Sequence, residues 1–224
     1  MDFFIISFYF KPNIIVNQLK DVCFANFYQI IVYLEIRKMN KNPTYAISLF
    51  FDDDSTQNLN SLINSIAEIT GNFYVVENHI PPHITLGMFK GTKDTEEKLC
   101  DFVKKMNDDF KSDFLENPIT LDKLDFFKNK IAFLCSAEKK DCEENSFLHK
   151  LNKNLHNLLL PNFMPACNNL YLPENYFAHC AVASGLSSIQ LKKLLQNQDK
   201  LTLPMNVFPQ KISLAIRRSY KIIF

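Results

Sequence analysis

The chain has 224 residues, 47% of them apolar and 22% charged, with 25 Lys and Arg against 24 Asp and Glu. That length allows one domain with a full core, and the balanced charge excludes a disordered charged tail or a broad basic face that coats nucleic acid. Contact with a polyanion, if made, is local.

Residues 1–40 differ from the rest. Their two apolar runs, Phe3 to Phe10 and Val22 to Leu34, are shorter than the roughly 18–20 residues of a membrane span, and the start lacks the basic region and cleavage site of a signal peptide. We read an N-terminal extension over 1–40, either an over-extended reading frame ahead of Met39 or a membrane-touching segment, followed by a single domain over 41–224. The six cysteines, at 23, 100, 135, 142, 167 and 180, form no C-x-x-C pair, which predicts reduced thiols in a cytoplasmic protein.

From Thr44, "TYAISLFF" is rich in β-branched and aromatic residues and predicts a strand that stops at the following aspartates. Leu59, Leu62, Ile63 and Ile66 then repeat at helical spacing between an Asp/Ser cap and Gly71. "NFYVV" and "HITLGMF" predict two more strands, and Leu99, Phe102, Val103, Met106 and Phe110 a second helix. In the second half, "ITLDKLDFF" and "NKIAFLCSA" predict neighbouring strands with a turn near Lys128 and Asn129. Leu148, Leu151, Leu155 and Leu158 or Leu159 mark one face of a helix ended by Pro161. "YFAHCAVAS" predicts a strand, "SSIQLKKLLQN" a Ser-capped helix, and "QKISLAIRR" and "YKIIF" the closing strands. The order of elements in the two halves is comparable, which predicts two related lobes.

Of the histidines, His79 and His83 would face one way on a helix, but Pro81 and Pro82 between them argue against a helix and against a shared metal. His149 and His156 share a helix face with no completing ligand and are expected to be partly buried. His83 and Thr85 are two apart on a predicted strand, so an imidazole that can move a proton and a hydroxyl that can donate to a phosphoryl oxygen project to one side. In "FAHCAVA", His179 lies on the corresponding strand of the second half. Two facing imidazoles are what opening a cyclic phosphodiester requires: one activates water and the other protonates the leaving oxygen.

On "PPHITLGMF" as a first H-x-T motif and "FAHCAVA" as a second, with "DKLDFFKNKIAFLCSA" and "FLHKLNKNLHNLL" between them, the chain resembles the 2H phosphoesterases, in particular the bacterial 2'-5' RNA ligase or RNA 2',3'-cyclic phosphodiesterase group. The resemblance covers Asn42 to Phe224. It implies an α+β, bilobal fold of two pseudo-symmetric lobes of antiparallel strands, with outer helices, around a central cleft. It also implies that His83 and His179 are the acid and base pair and that Thr85 holds a phosphate oxygen. The substrate would be an RNA terminus or small nucleotide with a cyclic phosphate, handled by a monomer without metal, cofactor or stable protein partner.

The second motif departs from this pattern, with Ala181 where Thr or Ser belongs. Cys180 faces the other side of a strand and cannot replace the hydroxyl. Loss of one preorganised donor costs about 10²–10³ in rate, so a slower enzyme is expected. The alternative is a protein that binds nucleotides or RNA termini with weakened catalysis. Tyr176, Arg217 and Arg218 are candidates to take over the phosphate contact.

Overall fold

The computed structural model describes residues 43–128, 130–136, 146–160, 163–166, 171–217 and 221–224. The expected extension, Pro161 and Arg218 lie outside them, and the described residues belong to one compact unit from Pro43 to Phe224.

Strand β1 (Thr44–Phe51) is buried along almost its whole length, as expected of its apolar run. Its end is set by Asp52, whose carboxylate accepts from the Ser55 amide at 2.9 Å and caps helix α1 (Asp53–Thr70). Leu59, Leu62, Ile63 and Ile66 form the buried face of α1, and Gly71 closes it at φ +69°, with its N–H donating to Ala67.

"NFYVV" is not a strand. Its core forms one short helical segment, α2 (Tyr74–Glu77). Asn72 explains the difference: its side-chain oxygen accepts from the Tyr74 amide, and its amide group donates to the Ser184 carbonyl, so the chain turns where β propensity alone would extend it.

Strand β2 (His83–Lys90), helix α3 (Lys93–Asp109) and the short α4 (Lys111–Glu116) follow. "ITLDKLDFF" divides at Asp122 into β3 (Ile119–Leu121) and β4 (Lys123–Phe127), because the two pieces join different sheets. β5 (Ile131–Cys135) pairs with β4 across a turn in which Lys130 has φ +71°. Helix α5 (Phe147–Leu159), capped by Ser146, buries Leu148, Leu151, Leu155 and Leu159. Beyond β6 (Met164–Pro165), "YFAHCAVAS" contributes only β7 (Cys180–Ala183), preceded by a 3-10 turn at Pro173–Asn175. Helix α6 (Ser188–Gln196), with a Ser187 and Gln190 capping box, leads to β8 (Met205–Val207), β9 (Pro209–Ile216) and β10 (Lys221–Ile222).

The fold is α+β. One antiparallel sheet runs β10-β9-β1-β2-β7-β5-β4, with β6 also on β2, while β3 and β8 form a separate pair. The helices pack on one face: α3 and α4 against β9, α5 against β2, and α1 against β7. There Tyr45, Ile47, Leu49, Ile84, Leu86, Val182 and Leu214 join the buried residues of the helices in one apolar cluster. The alternate strand residues are left on the opposite face.

The middle of the sheet is thin. β2 and β7 pair at one position, Ile84 with Cys180, whereas β1 pairs with β2 and β9 along its length. In β2, Leu86 is an extra residue opposite the Ile47/Ser48 step, so this strand carries a bulge. The bulge switches the side-chain alternation, and His83, Thr85 and then Met88 come to the open face. Gly87 is needed beside the bulge, since a Cβ there would lie 2.8 Å from the Phe89 ring and 3.1 Å from His156 and Leu155.

Candidate active site

On the face of the sheet opposite α1, α3, α4 and α5, bordered by Tyr74 and Val75 of α2, is a cavity of about 220 Å³. Both H-x-T-like motifs reach it: His83 and Thr85 from β2, and His179, immediately ahead of β7, with Ala181 from β7. Continuing the antiparallel register from Ile84 and Cys180 by one residue each way sets His83 across from Ala181 and Thr85 across from His179. The one bridge between β2 and β7 therefore holds the two imidazoles on a diagonal.

Both imidazoles are held in the same way. Nδ1 of His83 lies 2.8 Å from the Pro81 carbonyl, and Nδ1 of His179 lies 2.8 Å from the Phe177 carbonyl, each two residues upstream. A carbonyl only accepts, so Nδ1 carries the hydrogen in both rings and Nε2 of the neutral ring has the lone pair. Each ring presents the same nitrogen for proton exchange. Burial lowers the pKa of both below the ordinary imidazole value, partly offset by the carbonyl contacts. Positive charge on His83 lowers His179 further, which disfavours double protonation. The pair therefore resists taking up two protons at once.

The surroundings of the two rings differ. His83 stacks on Phe50 at 5.6 Å and 28°. His179 has Phe127 and Phe133 edge-on at 4.9 and 5.4 Å, and stacks on Tyr171 and Phe177 at 6.2 and 6.0 Å. These aromatics account for its desolvation.

Tyr176 does not take the place expected for it. It is buried, does not line the cavity, and its hydroxyl donates to the Thr85 backbone carbonyl at 3.2 Å. It supports the strand that carries the first motif. Arg217 does line the cavity, with its backbone N–H donating to the Thr44 carbonyl. Cys180 faces the core as expected, and burial pushes its thiol up to about 12. His79 lies on an exposed turn at φ +50° and does not reach the cavity. Among the described residues no three His, Cys, Asp or Glu side chains group to hold a metal.

The helix histidines are structural. His156 is buried against Phe89, with Nδ1–H donating to the Asn152 carbonyl, and the half-buried His149 donates from Nε2 to Pro173. Between them on α5, buried Asn152 donates from Nδ2 to both the Leu86 carbonyl, in the bulge of β2, and the Tyr171 carbonyl. One side chain ties the strand of His83 to the segment that stacks on His179.

Sequence reasoning missed Asn152, Tyr171 and Ser48. Ser48 had a signal, as a polar residue inside an otherwise apolar strand with Ala46 and Phe50 at the same parity. Asn152 and Tyr171 had none, because their roles depend on long-range packing.

Comparison of the chain with protein-family models and with curated proteins finds no match.

Proposed function

We propose that this chain is a metal-independent phosphoesterase of the 2H type that acts on RNA or nucleotide 2',3'-cyclic phosphate termini. One observation carries the reading: two imidazoles with the same Nδ1–H tautomer and free Nε2 atoms line one cavity, with the Thr85 hydroxyl beside them. In hydrolysis, neutral Nε2 of one ring takes a proton from water as its oxygen attacks phosphorus. The other ring, as imidazolium, gives its proton to the ribose oxygen as the P–O bond breaks. The pair finishes with its proton exchanged, and Thr85 donates to a non-bridging oxygen throughout. With a 5'-hydroxyl in place of water, the same two transfers open the cyclic phosphate at its 3'-oxygen and leave a 2'-5' diester, the joining reaction.

The halves of the sheet on either side of the Ile84 and Cys180 bridge would be the two lobes of the 2H fold. Action in the cytoplasm fits the thiols of Cys100 and Cys180, which form no disulfide. Among the described residues no helix is long and apolar enough to cross a membrane. Near-neutral net charge suits capture of one terminal phosphate.

Ala181 on the cavity wall supports a second reading, a binding protein with the cleft but without useful turnover. A short RNA ending in a 2',3'-cyclic phosphate, incubated with the protein in EDTA, separates the two. Turnover that disappears in His83→Ala and His179→Ala supports the enzyme. Absent turnover with retained binding supports the second reading, and turnover that survives both substitutions sinks the two-histidine mechanism.

A further inference from the structure

The hydroxyl missing at Ala181 has a counterpart on a different strand. Ser48 of β1 pairs in register with Thr85 of β2, and both side chains line the cavity. They are nearly enclosed, with Ser48 2% and Thr85 7% exposed. Among the described residues neither hydroxyl has a hydrogen-bond partner, yet neither is sealed inside the protein, so both open onto the cavity. Buried hydroxyls without partners are costly and uncommon; three occur in one row here, Ser213, Ser48 and Thr85, and of these only Ser48 and Thr85 line the cavity beside the two imidazoles. Directly opposed residues on antiparallel strands have Cβ atoms roughly 4.5–5.5 Å apart, a span that one phosphate can bridge.

We propose that Ser48 is the second phosphoryl-binding hydroxyl of this site, donating together with Thr85 to the non-bridging oxygens of a bound phosphate and replacing the donor absent at Ala181. Its substrate assignment rests on the phosphoesterase reading; its anion site does not. Both hydroxyl donors then come from β1 and β2, and the second motif supplies only the imidazole. Ser213 is a built-in control: it pairs with Ser48 from β9 and is equally buried, but does not line the cavity.

Inorganic phosphate is the probe, titrated by NMR or calorimetry into wild type, Ser48→Ala, Thr85→Ala and Ser213→Ala. Ser48→Ala and Thr85→Ala should each weaken phosphate at least tenfold, and Ser213→Ala should leave it unchanged. With the cyclic-phosphate RNA, Ser48→Ala should lower kcat by about 10²–10³ with a smaller effect on KM, and Ser48→Ala/Ala181→Thr should recover much of that loss. Unchanged phosphate affinity in Ser48→Ala overturns the proposal, as does an equal loss in Ser213→Ala, which would mark the effect as strand packing. If wild type turns over no cyclic phosphate, the enzyme reading fails while the phosphate titration still decides the role of Ser48.

Discussion

The two histidine strands share one local device and differ in almost everything around it. His83 and His179 each donate Nδ1–H to the carbonyl two residues upstream, at the same 2.8 Å. Around His83 the open face has Ser48, Thr85 and one stacked ring, Phe50, while around His179 it has four aromatic rings and Ala181. The imidazole is duplicated, whereas Ser48 and Thr85 sit side by side on one strand pair with no equivalent at Ala181. On the proposed function, the difference teaches that a two-part site need not be symmetric in its chemistry: both parts would carry a proton, while the phosphate would be held from one strand pair.

Removing either proton carrier breaks the comparison most severely. His83→Ala and His179→Ala should each cost about 10²–10⁴ in kcat on a cyclic-phosphate RNA, because each removes one proton transfer. The double variant should be little slower than the worse single one, since the rings act as a unit. Additive losses would show that they act separately.

The tie between the two strands comes next. Asn152→Leu keeps the volume apolar but leaves the Leu86 and Tyr171 carbonyls without this donor, at roughly 1–3 kcal/mol each. A lowered midpoint in urea, with near-UV circular dichroism changed around Tyr171, is expected. An unchanged midpoint would mean that the two segments hold their places without Asn152.

pH tests the shared device. His83, His156 and His179 all have pKa values lowered by burial from the ordinary 6.5. The unfolded chain takes up these protons first, so stability is full above about 6.5 and falls as pH drops through the lower folded values. Urea midpoints at pH 7.5, 6.5 and 5.5 should decline in that order, and His156→Gln should flatten the slope. In the cavity the sign reverses on binding, because an anion favours imidazolium. Inorganic phosphate should therefore bind with proton uptake and more tightly at pH 6 than at pH 7.5, which calorimetry in buffers of different ionisation enthalpy can measure.

The smallest effect is expected where the strands differ in sequence. With Ser48 already donating, Ala181→Thr alone should raise kcat less than about tenfold, below the range for a sole missing donor. A hundredfold gain would mean that β1 supplies no replacement.

Much of the fold was legible because local rules decided it. The Asp52 cap, the helical spacing of Leu59, Leu62, Ile63 and Ile66, and the Ser187 capping box are short-range features, and all appear where the pattern puts them. "NFYVV" was misread because the Asn72 contact to Ser184 spans half the length of the chain, and "ITLDKLDFF" because one continuous β pattern cannot say that its ends pair with different partners. Tyr176 was placed in the site on proximity to His179, whereas its hydroxyl reaches back to Thr85.

By itself, the sequence determined the parity of each motif: His83 with Thr85, His179 with Ala181, and Cys180 turned away, since a strand alternates whatever its neighbours are. Tertiary structure alone decided which strands meet. The single Ile84 and Cys180 bridge brings the motifs to one cavity, the bulge at Leu86 brings Met88 to that face, and the β1–β2 register sets Ser48 beside Thr85. Strand pairing is a choice among distant partners made by the packing of the whole core, so no local pattern contains it.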